Sequence, residues 1–421
     1  MKSRAYRFSS LSHLEPPMMT PSADMAPIDK HRQRSRWRIA NFASLLLACF
    51  ASVFSLTTVD VAVGHADDAS SASLSGETSA RIVSYSLNED DAPAVAVSVQ
   101  PGADDAIMAA VSNRPTDVVV VVDTSASQVG AFRTDSMTAV KMLLRRLDSE
   151  NTRVRLFAAD VESLPLTNEF TPALAKPVIQ AVRQLDRRLP LGNTNLVKIL
   201  DQARQPLANR DKQHARSIVY IGDGTSLDAI QNEVRFEQLV DSLRADRISV
   251  HSIAIGPTKN LETIAILANQ TGGVLGVVGD DATVGGPAVI AKGVADSAKM
   301  SPIWIDTVAD ASGSSDSVTW VHGDRLPPLR LDRDSILIGS VSAPSEELTL
   351  TIQGNVAGKA ITLGLTGEIE DSHPDMAFLP GLISEHSDSR GLLLPTAGSP
   401  MLRQTAQMLA HRAEALAEAG S

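Results

Sequence analysis

The stretch DVVVVVDTSAS, residues 117–127, decides the fold class of this protein. Its five consecutive valines are β-branched and leave no polar face, which is typical of a strand buried on both sides, in a parallel sheet covered by helices. Comparable apolar runs follow at residues 154–159, 217–222, 248–255 and 274–278. Segments with helical spacing alternate with them, at residues 132–148, 172–188, 196–208, 234–245 and 260–270. The pattern predicts an α/β domain with a doubly wound, mostly parallel sheet flanked by helices.

The segments on either side of this domain follow different patterns. Short, turn-bounded strands without helical spacing predict a small antiparallel β-domain at 301–369. Residues 81–114 hold two alternating runs and are predicted as a β-strand lead-in, which can join that β-domain and leave the α/β domain as an insertion. The remaining predictions are a flexible linker at 67–80, an irregular segment at 370–397 and a C-terminal helix at 398–421.

The composition excludes several classes of protein. The 421 residues carry a formal net charge of −11, which argues against a nucleic-acid binder. A single cysteine excludes an internal disulfide framework and a cysteine-based zinc site. The nine histidines show no HExxH or HxH spacing, so we expect no histidine-based catalytic metal.

Residues 1–66 have the order of an export signal. A basic cluster at 32–38 precedes an apolar run at 39–59, and small residues stand at Gly64 and Ala66 before a polar, low-complexity stretch. The apolar run is also long enough to remain as a membrane anchor, and Cys49 offers a third alternative, lipidation. We therefore expect an exported protein of bacterial type, which is periplasmic, secreted or on the cell surface, and which touches the membrane only through an uncleaved leader.

Three predicted loops bring oxygen-bearing side chains to the same edge of the sheet. The first buried strand ends in Asp123 and is followed by Ser125 and Ser127; Thr194 opens a helix, and Asp223 follows another buried strand. Open α/β sheets bind ligands at the carboxyl ends of their strands, although serine and aspartate after a strand also occur as ordinary helix caps. Two carboxylates and three hydroxyls form a hard-cation set that suits Mg²⁺ or Mn²⁺.

With these residues in this order, about residues 115–298 resemble a von Willebrand factor A domain with a metal-ion-dependent adhesion site. The resemblance implies that Ser125, Ser127 and Thr194 ligate the ion directly, and that Asp123 and Asp223 act mostly through water. The family's common Gly-Gly-Thr sequence is Gly192-Asn193-Thr194 here, a departure that affects loop shape more than ligation. The implied partner is a protein that offers an Asp or Glu carboxylate to the bound cation.

Two other functions remain as alternatives to metal-dependent recognition. In the first, the protein is a scaffold whose β-domain or C-terminal helix makes the main contacts. The second, less favoured, is a metal-dependent hydrolase. No histidine lies in the three loops, and the nearest additional acid is Asp228, so a general base of the usual type is missing from them. We therefore expect that the protein is not an enzyme.

Overall fold

The computed structural model describes residues 74–86, 92–102, 105–112, 114–226, 233–279, 285–310, 317–323, 325–342 and 345–386. In chain order the elements are β1 (Leu74–Tyr85), β2 (Ala94–Pro101), α1 (Asp105–Ser112), β3 (Thr116–Asp123), α2 (Ala131–Leu147), β4 (Thr152–Ala159), β5 (Ser163–Pro165), α3 (Lys176–Arg187), α4 (Leu196–Ala208), β6 (Ala215–Gly222), α5 (Glu233–Ala245), β7 (Ser249–Ala254), α6 (Leu261–Thr271), β8 (Leu275–Val277), α7 (Pro287–Ala298), β9 (Trp304–Asp310), β10 (Val318–Trp320), β11 (Ser335–Val341), β12 (Glu347–Val356), β13 (Lys359–Glu368) and α8 (Leu379–His386).

The predicted leader at 1–66 and the predicted C-terminal helix at 398–421 lie outside the described residues. All the described elements belong to the unit formed by residues 68–421. Within the ranges given above, no helix is long and apolar enough to cross a membrane.

The predicted doubly wound α/β fold is confirmed. Its six-stranded sheet has the order β5-β4-β3-β6-β7-β8, and all neighbouring strands are parallel except β5, which runs antiparallel to β4. The chain leaves β3 for one edge of the sheet through β4 and returns to the other side at β6. This reversal of direction beside β3 creates the position at which open α/β sheets bind their ligands.

The valine run of β3 is buried because its two faces meet different layers of helices. Val118, Val120 and Val122 belong to the apolar core shared with α2, α3 and α7. Val119 and Val121 belong to the core on the opposite side, shared with α4, α5 and α6. A strand covered on both faces needs no polar side, and so the sequence pattern of β3 is continuous rather than alternating.

The second sheet has seven strands in the order β10-β11-β2-β1-β13-β12-β9. β1 and β2, which precede the α/β domain in the chain, pair with β13 and β11, which follow it. The α/β domain is therefore inserted between strands of one sheet. Along β12, Leu348, Leu350 and Ile352 are buried while Thr349 and Thr351 face outward, which gives the alternation of a sheet with one covered face.

The structure corrects the prediction for the segment before the α/β domain. Residues 74–80, predicted to belong to the flexible linker at 67–80, form the first part of β1. Leu74–Ser79 pair in parallel with Ile361–Thr366 through main-chain hydrogen bonds, which do not require large apolar side chains. The same pairing corrects the prediction of a purely antiparallel β-domain at 301–369. The predicted lead-in at 81–114 supplies two interior strands of the sheet and also contains α1, which was not predicted.

The segment predicted as irregular at 370–397 is partly helical. A short 3₁₀-helix spans Pro374–Met376 and is followed by α8. Leu379 and Leu382 of α8 are buried against Ala94 of β2, so tertiary packing stabilises a helix too short to be stable alone. Residues 387–397 lie outside the described residues.

A buried histidine makes the stability of the α/β domain sensitive to acid. His251 lies in β7 with no exposed surface, and its Nδ1 accepts a hydrogen bond from Val274 N at 3.2 Å. Burial, reinforced by the positive charges of Arg330 and Arg333, lowers the pKa of His251 well below its ordinary value. The folded protein therefore keeps this ring neutral at a pH at which the unfolded chain protonates it.

Because the unfolded state binds the additional proton, the free energy of unfolding should fall as the pH drops below about 6.5, by up to about 1.4 kcal/mol per pH unit. His251→Asn keeps an acceptor for Val274 N and removes the titrating ring, so this part of the slope should disappear. The dependence of the unfolding free energy on pH is measured by urea denaturation of parent and variant, at several pH values between neutral and mildly acidic. An unchanged slope in the variant would assign the acid sensitivity to other groups.

Candidate metal centre

Three loops meet at the carboxyl edge of the six-stranded sheet. β3 and β6 are parallel neighbours with Val122 opposite Ile221, so the loops that follow them, 124–130 and 223–226, leave the sheet at the same level. The third loop, 188–195, connects α3 to α4. Leu191 N donates to the carbonyl of Thr124 at 2.9 Å, and Ala126 N donates to that of Gly192 at 3.0 Å. These two bonds hold the third loop against the first.

Asp123 is fully buried and accepts hydrogen bonds from three different parts of the chain. The backbone N–H of Ser125 donates to Oδ1 at 2.8 Å, and the Thr194 hydroxyl lies 3.0 Å from Oδ2. The third donor is the hydroxyl of Tyr220 in β6, 2.8 Å from Oδ2. Asp123 therefore joins the loop after β3 to the loop before α4 and to the neighbouring strand.

The remaining predicted residues form a chain of hydrogen bonds beside Asp123. The hydroxyls of Ser125 and Ser127 lie 3.0 Å apart, and Ser127 donates to Oδ2 of Asp223 at 2.5 Å. Thr225 N donates to the other oxygen of Asp223 at 2.8 Å, an arrangement that fixes the carboxylate at the start of its loop. The structure thus brings together all five residues that the sequence pattern selected.

The buried carboxylates give the cluster a negative character. Burial raises the pKa of Asp123 above its ordinary value and the charge of Asp223 adds to this, although hydrogen bonds from Ser125 and Tyr220 oppose it. Burial, followed by the charges of both aspartates, raises the pKa of Tyr220 well above its ordinary value. Tyr220 therefore remains a protonated donor. A cation placed among these groups would offset the unfavourable burial of negative charge.

The donor set fits a hard divalent cation. Its side-chain ligands are oxygen atoms only, and two of its three hydroxyls, those of Ser125 and Ser127, already lie within 3.0 Å of each other. Within the part of the chain that the structure describes, no three side chains of His, Cys, Asp or Glu come together as a metal-binding group. A site of hydroxyls and two aspartates suits Mg²⁺ or Mn²⁺ better than a metal that prefers nitrogen or sulfur ligands.

Three further residues shape this cluster, and the sequence pattern missed two of them, Tyr220 and Gly256. The only signal of Tyr220 in the sequence is a polar tip inside an otherwise apolar run. Gly222 and Gly256 shape the cluster because each lies against an aspartate. A Cβ on Gly222 would stand 2.5 Å from Cβ of Asp123, and one on Gly256 would stand 2.5 Å from Cβ of Asp223. Only a glycine lets the backbone approach so closely.

The comparison with known families supports the class of domain that the fold indicates. Residues 116–277 match the family described as von Willebrand factor type A domain. This segment therefore has the fold of a von Willebrand factor type A domain, and it is inserted in a chain that also carries a seven-stranded sheet. No curated protein matches the chain.

Several solved structures are similar to this chain at low sequence identity. A von Willebrand factor type A protein from Catenulispora acidiphila is 14% identical, with a TM-score of 0.48, over 75% of this chain and 79% of that one. The ArnB paralog VWA2 from Sulfolobus acidocaldarius is 17% identical, with a TM-score of 0.43, over 80% and 90%. The proximal thread matrix protein 1 of the mussel byssus, described with a zinc-occupied MIDAS motif, is 15% identical, with a TM-score of 0.35, over 45% and 46%.

Proposed function

We propose that the domain binds Mg²⁺ or Mn²⁺ at Asp123, Ser125, Ser127, Thr194 and Asp223, and that it uses the ion to recognise a carboxylate of a partner protein outside the cytoplasm. The observation that carries this proposal is the convergence of two buried aspartates and three hydroxyls at the edge of a parallel sheet. The export leader predicted at 1–66 supports the location.

The hydroxyls and the carboxylates have different roles in the proposed site. The proposed direct ligands are neutral hydroxyls, those of Ser125, Ser127 and Thr194. Direct contacts therefore compensate only part of the positive charge of the bound cation. Asp223 orients the Ser127 hydroxyl and Asp123 orients that of Thr194, through the hydrogen bonds described above. A bound divalent cation supplies an open coordination position and positive charge for an Asp or Glu of the partner. Recognition then requires the ion, and the site itself has no catalytic role.

A calorimetric titration of the full-length protein with Mg²⁺ and with Mn²⁺ tests the proposal. We expect saturable binding at one site, and a loss of affinity of about a hundredfold or more in Asp223→Ala, because this variant removes the carboxylate that orients Ser127. Asp148→Ala removes an exposed carboxylate at the end of α2 and serves as the matched control with parental affinity.

The titration is repeated with acetate present, since a site of this kind can need a partner carboxylate to retain its ion. Absence of binding under both conditions by the folded parent would contradict the proposal. That result would favour the alternative in which the protein is a scaffold and its second sheet makes the main contacts.

A further inference from the structure

Exposed apolar side chains concentrate around the candidate metal centre. Four of the six large apolar residues of the described chain that are more than half exposed belong to its loops or to the adjacent turn after β4. These are Val129 (53%), Val161 (55%), Leu189 (75%) and Leu191 (65%), and we call them the apolar rim. Contiguous exposed apolar patches on soluble proteins often mark binding sites.

Local contacts place the rim next to the predicted ligands. Val129 follows Ser127 in the loop after β3, and Leu191 donates its N–H to the carbonyl of Thr124 in the same loop. A Cβ on Gly192 would lie 3.4 Å from Cγ2 of Val161, so the turn after β4 is beside the loop that carries Thr194. The rim residues therefore lie on the loops that carry the hydroxyls, or on the turn beside those loops.

A basic face adjoins the rim in a protein that is acidic as a whole. The chain carries a formal net charge of −11, yet residues 174–191 hold four basic side chains and one acid, Asp186. Asp186 interacts electrostatically with Arg133 of α2. Burial lowers the pKa of Arg133, and the negative charge of Asp186 opposes this effect. Arg183 and Arg187 are exposed and line a surface depression on α3. Neither side chain forms a hydrogen bond or ion pair with any residue that the structure describes.

Arg188 joins this basic face to the metal centre as a rigid element. Its Nε donates to the Thr124 hydroxyl at 3.1 Å, and its Nη2 pairs with Asp160 at 2.6 Å. Arg188 is thus committed to structure and fixes the end of α3 relative to the loop after β3. Arg183 and Arg187 are one helical turn apart, and Arg187 precedes Leu189 of the rim by two residues.

We propose that the apolar rim and the α3 arginines form one docking surface for an acidic peptide segment of the partner protein. In this segment, apolar side chains lie between the carboxylate that reaches the ion and a second acid that reaches Arg183 and Arg187. The inference rests on the proposed function and adds the chemical character of the partner. Charge complementarity supports this occupant, because a positive surface attracts an acidic segment.

Selection from a random dodecapeptide display library tests the surface. The full-length protein is immobilised with Mg²⁺, and bound peptides are released with a chelator. Selections run in parallel on the parent, Arg183→Gln/Arg187→Gln and Leu189→Ser/Leu191→Ser. Lys141→Gln/Arg145→Gln removes two exposed positive charges one turn apart on α2 and serves as the matched control. Circular dichroism and metal titration of each variant verify that the fold and the ion site are intact.

We expect the parent and the control to enrich peptides with two acids separated by apolar residues. The arginine variant should lose the preference for the second acid, and the leucine variant should lose the apolar preference. The best parent-selected peptide should bind the arginine variant about tenfold more weakly, mainly through slower association and with a weaker salt dependence. Two results would overturn the proposal while leaving the metal site in place: no chelator-released pool from a parent that binds Mg²⁺, or the same pool from every variant. A parent that binds no ion, with or without acetate, would instead contradict the proposed function.

Discussion

Replacing Arg330 by methionine is expected to lower the free energy of unfolding by about 3 kcal/mol or more, because it breaks a buried charged network. The Arg330 side chain is only 2% exposed and pairs with Asp332 through Nε at 2.5 Å and Nη2 at 2.7 Å. It also donates to the carbonyls of Gly272, at the end of α6, and Ser297, in α7. One side chain therefore ties two helices of the α/β domain to the segment that precedes β11.

The exposed pair of Arg81 and Glu370 provides the matched control for this prediction. It has the same two-pronged geometry, with contacts at 2.6 and 3.1 Å, but its side chains are 73% and 45% exposed. Because water screens this pair, Arg81→Met should leave the urea denaturation curve close to that of the parent. Equal losses in the two variants would show that burial of the Arg330 network contributes nothing measurable.

The same network predicts how the protein responds to strong acid. Burial opposes ionisation of Asp332, but the hydrogen bonds and the charge of Arg330 outweigh it and lower the pKa of Asp332 to about 2. Since this pKa is lower in the folded state, the contribution of the pair is complete above the ordinary aspartate value and is lost as the pH falls from about 4 towards 2. Because Arg330→Met removes the pair, this variant should not show that loss of unfolding free energy in the same pH range.

Gly222→Ala is the second substitution with a large expected effect, and it acts on the metal centre and on stability together. The new Cβ would lie 2.4 Å from the Tyr220 hydroxyl and 2.5 Å from Cβ of Asp123. The Tyr220 ring is 1% exposed, and Asp123 Cβ is attached directly to the β3 backbone, so neither atom can move away freely. We expect a loss of about 1–3 kcal/mol in unfolding free energy and a large loss of Mg²⁺ affinity.

Gly364→Ala is the matched control for this substitution. Gly364 also lies in a strand, β13, but no atom would come within 4 Å of its new Cβ. The change there should be neutral or slightly stabilising, because alanine restricts the unfolded chain more than glycine does. Urea denaturation and metal titration of both variants measure the difference. Parental metal affinity in Gly222→Ala would show that the spacing of Tyr220 and Asp123 is not required by the site.

The fold of the α/β domain could be predicted because its signals are local. The continuous apolar run of β3 and the helical spacing that follows it reflect burial by layers that any doubly wound sheet provides. The candidate ligands could be predicted for a related reason. Asp123 and Asp223 each follow a buried strand, and parallel strands place the residues after them at one edge whatever the details of packing. What these side chains bind remains a prediction.

The flanking sheet could be predicted only in part, because its pairings join distant parts of the chain. β1 lies beside β13, so Leu74 is paired with Ile361, and no local pattern near residue 74 contains that information. The polar composition of residues 74–80 instead resembles that of a linker. The short helix α8 is likewise stabilised by a contact of Leu379 with the Ala94 region of β2, nearly the whole described chain away.

The sequence by itself thus determined the doubly wound class of the α/β domain and the five oxygen-bearing residues at one sheet edge. It also indicated that this domain can be inserted between strands of a second sheet. These features follow from burial periodicity and from strand direction, which neighbouring residues encode. Only the tertiary structure decided that Tyr220 donates to Asp123, that Gly222 allows this approach, that Arg330 ties helices α6 and α7 to the second sheet, and that Val161 lies beside the loop that carries Thr194. Each of these depends on the distance between residues far apart in the chain, and such distances arise only when the layers pack.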